Sequence, residues 1–169
     1  HGVVKTDHEL LQKLYEKLPD LTKDDSAHRE EHSIEFEVVF LQRFFGSRDF
    51  SIVPILITSF YPFVQSYKQK QLLPTANGGF MGFCDALRET LAASGKKVAF
   101  VASGDMAHIG RKFDDPYDAA TMLTTVEEED KHLLRAMEES NAEEYFRRIA
   151  SVEDTYKICG LPTVYTMLE

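Results

Sequence analysis

The chain has 169 residues, 43% hydrophobic and 28% charged, which suits one domain with a single substantial core. Its 19 Lys and Arg against 28 Asp and Glu leave a formal charge of −9, which argues against a nucleic-acid groove and against docking on an anionic membrane. Two cysteines without framework spacing point away from a disulfide scaffold and towards a reducing, cytoplasmic compartment, and no apolar run approaches the ~20 residues that a bilayer span needs.

In chain order, residues 3–5 read as a short strand, opening so abruptly after His1-Gly2 that the natural N-terminus is expected elsewhere. Residues 9–17 form an amphipathic helix with Leu10, Leu11, Leu14 and Leu18 on one side, stopped by Pro19. Asp24-Asp25-Ser26 offers N-cap chemistry for a helix running through His32 to about Phe45, whose stripe of Ile34, Val38, Leu41 and Phe45 must face a core. Residues 51–58 (SIVPILIT) read as a buried strand, which Pro54 demotes to an edge or bulged one.

Residues 79–94 predict a helix with Phe80, Phe83, Cys84, Leu87 and Leu91 inward, closed by Gly95. Residues 97–103 (KVAFVAS) are the clearest buried strand. Two acidic helices follow near residues 118–139 and 142–150, and a last short helix starts after Cys159-Gly160 with Pro162 in its first turn. The basic pairs Lys96-Lys97 and Arg147-Arg148 read as solvated element ends. Strands alternating with helices predict an α/β fold with a mostly parallel sheet covered by helices, in one domain over residues 1–169.

In open parallel sheets ligands bind beyond the carboxyl ends of strands. Residues 97–103 lead into Gly104-Asp105-Met106-Ala107-His108-Ile109-Gly110, where two glycines bracket an Asp and a His three apart. An Asp paired with a His fixes the tautomer of the imidazole and raises its basicity, as acid/base work or metal ligation requires. The plainer alternative is a helix-capping Asp beside an incidental His. His32 is crowded by Glu30, Glu31 and Glu35, a poor solvated face but a reasonable neighbourhood for a divalent cation. Cys159 precedes a helix, where the dipole favours the thiolate that binds metal. Cys84 lies on an apolar stripe and reads as core, and His1, His8 and His132 read as surface residues. A rival motif is His28-Arg29-Glu30-Glu31-His32, the H-x-x-E-H pattern of inverzincin zinc peptidases, with Glu31 as base.

Several segments, in order, resemble one family. Glu31-His32-Ser33-Ile34-Glu35 followed by Val39-Phe40-Leu41-Gln42 resembles its EHSIE…PFLQ signature. Ile52-Val53-Pro54-Ile55-Leu56 is similar to its IVPIL strand, Ser103–Gly110 to its S-x-D-x-x-H-x-G loop, and Ile158-Cys159-Gly160 to its ICG turn. On these motifs the chain is identified as a member of the Memo-like family, called AmmeMemoRadiSam system protein B in bacteria and archaea.

The resemblance implies a fold similar to class III extradiol dioxygenases, which use a non-haem iron. It implies His32 and Cys159 as metal ligands, with His108 as a nearby acid/base imidazole oriented by Asp105. The resemblance implies iron or copper, with zinc as a further candidate, and a thiolate in place of a carboxylate favours copper or zinc more than a hard oxygen site does, so the metal's identity stays open. The family's PHAGY-like histidine segment, GPSH-like strand end and last strands are not found here, so the expectation is an internal fragment, truncated at both ends, whose two-ligand site is empty and whose open sheet edges favour a homodimer. The implied function is a redox or dioxygenase-type activity on an unknown substrate. A non-catalytic peptide-binding module is the alternative, and the zinc peptidase a minor one. The family name implies an AMMECR-type domain protein and a radical SAM enzyme as partners.

Overall fold

The computed structural model describes residues 2–19, 21 and 26–169. The elements run β1 (Lys5–Thr6), α1 (His8–Lys17), α2 (Ser26–Glu30), α3 (Ser33–Phe45), β2 (Ser51–Ile52), α4 (Tyr61–Lys70), α5 (Gly78–Ser94), α6 (Leu123–Glu138), α7 (Ala142–Ser151) and α8 (Leu161–Leu168). The class is α/β, mostly helical, with a small parallel sheet. The chain divides into two compact units, His1–Leu56 with Gly78–Ser103 and Ile57–Asn77 with Gly104–Glu169.

In the first unit β1 and β2 pair in parallel with Lys5 opposite Ser51 and Thr6 opposite Ile52, and the Asp7 N–H extends the ladder to the Ile52 carbonyl at 2.9 Å. The strand expected over residues 51–58 ends at Ile52, because Pro54 has no N–H to donate and restricts the residue before it. Asp7 caps α1 by accepting the Leu10 N–H at 3.1 Å, and Lys96 Nζ holds the same carboxylate at 2.7 Å. Lys96 is therefore ion-paired and not a merely solvated end. α1 packs against α5 through Leu10 and Leu14 on one side, and Cys84, Ala86 and Thr90 are the buried positions of α5. Cys84 is core, as its apolar stripe predicts. Gly95 adopts φ 64, the left-handed stop that closes α5.

Two expectations are corrected in this unit. The helix predicted to run through His32 is split into α2 and α3, because the Glu31 carboxylate turns back to accept the Ser33 N–H at 2.8 Å and so supplies a cap where the helix would have continued. Asp24 and Asp25 lie outside the described residues. Residues 97–103 form no strand with any of the described residues, and Val98, Phe100 and Val101 are exposed instead of buried. β-Branched apolar residues suit a strand, but a strand needs a neighbour to exchange hydrogen bonds with. Among the described residues the sheet consists of β1 and β2 alone. On α3 the predicted stripe of Ile34, Val38, Leu41 and Phe45 is half-buried, while Phe40 and Phe44 are 70% and 75% exposed, so its apolar residues are not confined to the predicted stripe.

The second unit is helical. α7 is its centre, packed by α4, α6 and α8, with Tyr145, Phe146 and Ile149 buried along one face. Phe146 meets Tyr67 and Tyr165 edge-on, with ring centroids 5.7 and 5.5 Å apart. Asn141 caps α7 by accepting the Glu144 N–H at 3.0 Å, and Arg148 is ion-paired to Glu129 of α6 at 3.0 Å. A 3-10 turn at Ala119–Thr121, capped by Asp118, precedes α6, so this helix begins a few residues later than its sequence pattern suggests.

Candidate metal centre

The site lies wholly in the second unit, where the loop from Gly104 to Gly110 meets the turn before α8. Pro162 occupies the first turn of α8, as expected, and Gly160 is its N-cap. The meeting is close. A Cβ on Gly104 would lie 2.6 Å from the Gly160 Cα, and one on Gly160 would lie 3.0 Å from the Asp105 carbonyl oxygen. Glycine at both positions lets the two backbones touch. The Asp105 N–H then points at Cys159 Sγ, 3.3 Å away, and the Gly160 N–H donates to the Asp105 carbonyl at 3.0 Å.

His108 is held more firmly. Its backbone N–H donates to the Tyr156 carbonyl at 2.7 Å, and its ring Nδ1 lies 2.8 Å from the Lys157 carbonyl oxygen. The ring stands edge-on to Phe113, with centroids 4.8 Å apart. A carbonyl oxygen only accepts, so Nδ1 carries the proton and Nε2 is turned to the other side. There it meets Asp105 Oδ2 at 3.4 Å, with the His108 side chain 20% exposed and that of Asp105 82% exposed. Asp105 and His108 thus lie side by side, but the shorter contact that orients the ring is the Lys157 carbonyl, which no sequence pattern announces.

One ligand atom each from Asp105, His108 and Cys159 lies within 4.8 Å of the others, and among the described residues this is the group of His, Cys, Asp and Glu side chains that could hold a metal ion. Bonds of roughly 2.0–2.3 Å to a shared ion place two donors about 3.3–3.8 Å apart. The Asp105–His108 separation fits that edge as it stands, and a small side-chain movement of the exposed Cys159 would close the remainder. Imidazole, thiolate and carboxylate together suit iron, copper or zinc.

Charged groups frame the site. Lys157 Nζ binds Asp115 Oδ1 at 2.5 Å, and Asp115 Oδ2 accepts the Gly110 N–H at 2.8 Å. The Lys157 hydrogen bond holds the Asp115 carboxyl below the usual carboxylate range. Asp154 accepts the Ile158 N–H at 2.9 Å, and burial pushes its carboxyl up. Burial likewise raises the Tyr145 phenol far above its ordinary value, with the charges of Asp154 and Cys159 adding to the effect. Sequence reasoning missed Lys157, Asp115, Asp154 and Tyr145.

His32 belongs to the first unit, as the N-cap residue of α3. Its Nδ1 lies 3.8 Å from Glu31 Oε1, and its ring is edge-on to Phe36 with centroids 5.4 Å apart. His28 lies within α2, whereas His32 follows the helix break, so the two histidines of the H-x-x-E-H pattern do not share one continuous helix.

In class this is an α/β chain with a mixed nitrogen, oxygen and sulfur donor cluster. The family model described as Memo-like protein matches residues 1–169. A MEMO1 family protein of Methanococcoides burtonii is 33% identical over 167 residues, covering 99% of this chain and 52% of that protein. One of Aquifex aeolicus is 33% identical over 162 residues, covering 95% and 48%, and one of Methanosarcina barkeri is 29% identical over 171 residues, covering 99% and 51%. The chain belongs to the Memo-like protein family, and it spans about half the length of these curated relatives. No solved structure matches it. Among the described residues no helix is long and apolar enough to cross a membrane.

Proposed function

We propose that this chain carries a mononuclear transition-metal site, iron or copper, with redox or dioxygenase-type chemistry on a substrate still to be found. The observation that carries the reading is the pairing of His108 and Asp105. With Nδ1 donating to Lys157, a neutral ring presents a lone pair at Nε2, so Nε2 and Asp105 Oδ2 face each other as two acceptors at 3.4 Å. A cation between these two acceptors would relieve their repulsion, and Cys159 brings a sulfur ligand to the same place. The bound metal would supply Lewis acidity and electron transfer. His108, Asp105 and Cys159 would hold it, and the Lys157 carbonyl would fix the imidazole.

The extradiol-type fold and the ligand role of His32 are proposals of the same kind, resting on the motif resemblance. The test is metal analysis of the chain purified without oxygen, followed by oxygen-uptake measurements against a panel of catechols and thiols. Stoichiometric iron or copper with substrate-dependent oxygen uptake supports the reading. A chain that takes up neither metal, yet binds peptides, would replace it with the non-catalytic module.

A further inference from the structure

Lys157 has φ 51, a left-handed backbone that a residue with a side chain rarely adopts. Local bonds sustain it: the Lys157 N–H donates to the Asp154 carbonyl at 2.8 Å, and the Asp154 carboxylate takes the next N–H, that of Ile158. In this conformation the two ends of Lys157 serve one loop. Its carbonyl accepts from the His108 ring, and its ammonium reaches Asp115, whose second oxygen accepts the N–H of Gly110, two residues beyond His108. The circuit closes through the chain from Gly110 back to His108. Gly110 has φ 88, and a Cβ there would lie 2.8 Å from the Ala119 Cβ, so this corner cannot easily shift.

An exposed ion pair adds little stability by itself. Here the Asp115 side chain is only 13% exposed, one of its oxygens takes the cation and the other the loop N–H, and the Tyr117 hydroxyl also bonds the carboxylate. We propose that Lys157 and Asp115 are positioning residues of His108: their ion pair seats the Lys157 carbonyl against Nδ1 and so makes Nε2 the ring nitrogen offered to Asp105 and Cys159. This deepens the metal reading, but the choice of ring nitrogen is a property of the metal-free chain.

The test is the tautomer of His108 in the metal-free chain with nitrogen-labelled histidine, read by long-range proton–nitrogen correlation about two pH units above the ordinary imidazole value. A solvated neutral imidazole favours Nε2–H, so a predominant Nδ1–H at His108 is diagnostic. Lys157→Asn keeps a residue that tolerates the left-handed backbone but removes the ammonium, and Asp115→Asn removes the other charge. Both should lose the Nδ1–H preference, whereas Lys157→Arg should keep it. A wild-type ring in the Nε2–H form overturns the proposal without any variant, as does an undiminished Nδ1–H population in both charge-removing variants. In a parallel cobalt(II) titration those two variants should weaken binding about tenfold or more, and Lys157→Arg by less. Wild-type protein that binds no cobalt but shows the Nδ1–H pattern would defeat the metal reading and leave the positioning role standing.

Discussion

The backbone N–H of Asp105 is aimed at the sulfur of Cys159 from 3.3 Å, and the Asp105 carbonyl takes the neighbouring Gly160 N–H at 3.0 Å. Two backbone groups of one residue thus fasten the histidine loop to the cysteine turn. The residues with chemistry sit beside residues that have no side chain at all, and the second fact makes the first achievable.

Gly104→Ala should therefore be more damaging than Gly160→Ala. Its Cβ would meet the Gly160 Cα at 2.6 Å, a methyl against backbone, with no flexible group to yield. A loss of about 1–3 kcal/mol is expected in urea unfolding, with faster reaction of Cys159 towards thiol reagents as the turn loosens. Gly160→Ala, whose nearest clash is 3.0 Å, should cost less. The reverse ranking would show that the two segments separate more readily than this packing implies.

Cys159→Ser and His108→Ala should each lower metal affinity by more than the roughly 10–100-fold that follows from losing a residue that merely orients a ligand. Cobalt(II) titration checks this, because thiolate-to-cobalt absorption vanishes when the sulfur is absent. His28→Ala should leave affinity within about twofold, whereas a zinc-peptidase site would lose one of its two histidines and open. Unchanged metal content in both the Cys159→Ser and the His108→Ala variants would sink the site.

The helices were legible because packing and propensity agree in them: periodic leucines made α1, the left-handed Gly95 closed α5, and Pro162 opened α8. Asp105, His108 and Cys159 stood out for their chemistry, and the structure brings the three together. Residues 97–103 misled, since β-branched apolar residues record a tendency to pair and not the presence of a partner strand. The split of the helix at Glu31 was hidden because the same carboxylate that suits a helix can also turn back and cap one. Lys157 and Asp115 were invisible for another reason. A lysine in a left-handed turn carries no glycine to mark it, and 42 positions separate it from its carboxylate partner.

Acid should weaken the first unit through Asp7. Hydrogen bonding from Lys96, and then from the Leu10 N–H, holds the Asp7 carboxyl below its ordinary value. A folded-state value that is depressed stabilises the fold above the unfolded-state value, about 3.9, and that contribution is lost as the pH falls through the lower folded value. Asp7→Asn keeps a capping side chain but loses the charge, so its stability should fall less steeply than wild type over that acid window. Asp7→Ala also loses the cap and should cost about 1 kcal/mol at neutral pH. Parallel stability–pH curves for wild type and Asp7→Asn below pH ~4 would refute the assignment.

Tyr145 offers a test that runs in the opposite direction, towards a gain of stability. Its side chain is 0% exposed on α7, and among the described residues its hydroxyl has no hydrogen-bond partner. Leaving a buried hydroxyl unpaired costs about 1–3 kcal/mol, whereas the ring beneath it contributes packing that phenylalanine retains in full. Tyr145→Phe should therefore be neutral or stabilising by about 1 kcal/mol, seen as a raised urea midpoint with an unchanged slope. Tyr145→Ala, which removes the ring as well, should cost roughly 3–5 kcal/mol, the range for emptying an aromatic core position. A clear loss of stability in Tyr145→Phe would mean that the hydroxyl is paired in the folded protein. Asp154 and Cys159, the first two charges that act on the phenol, are where that partner should then be sought.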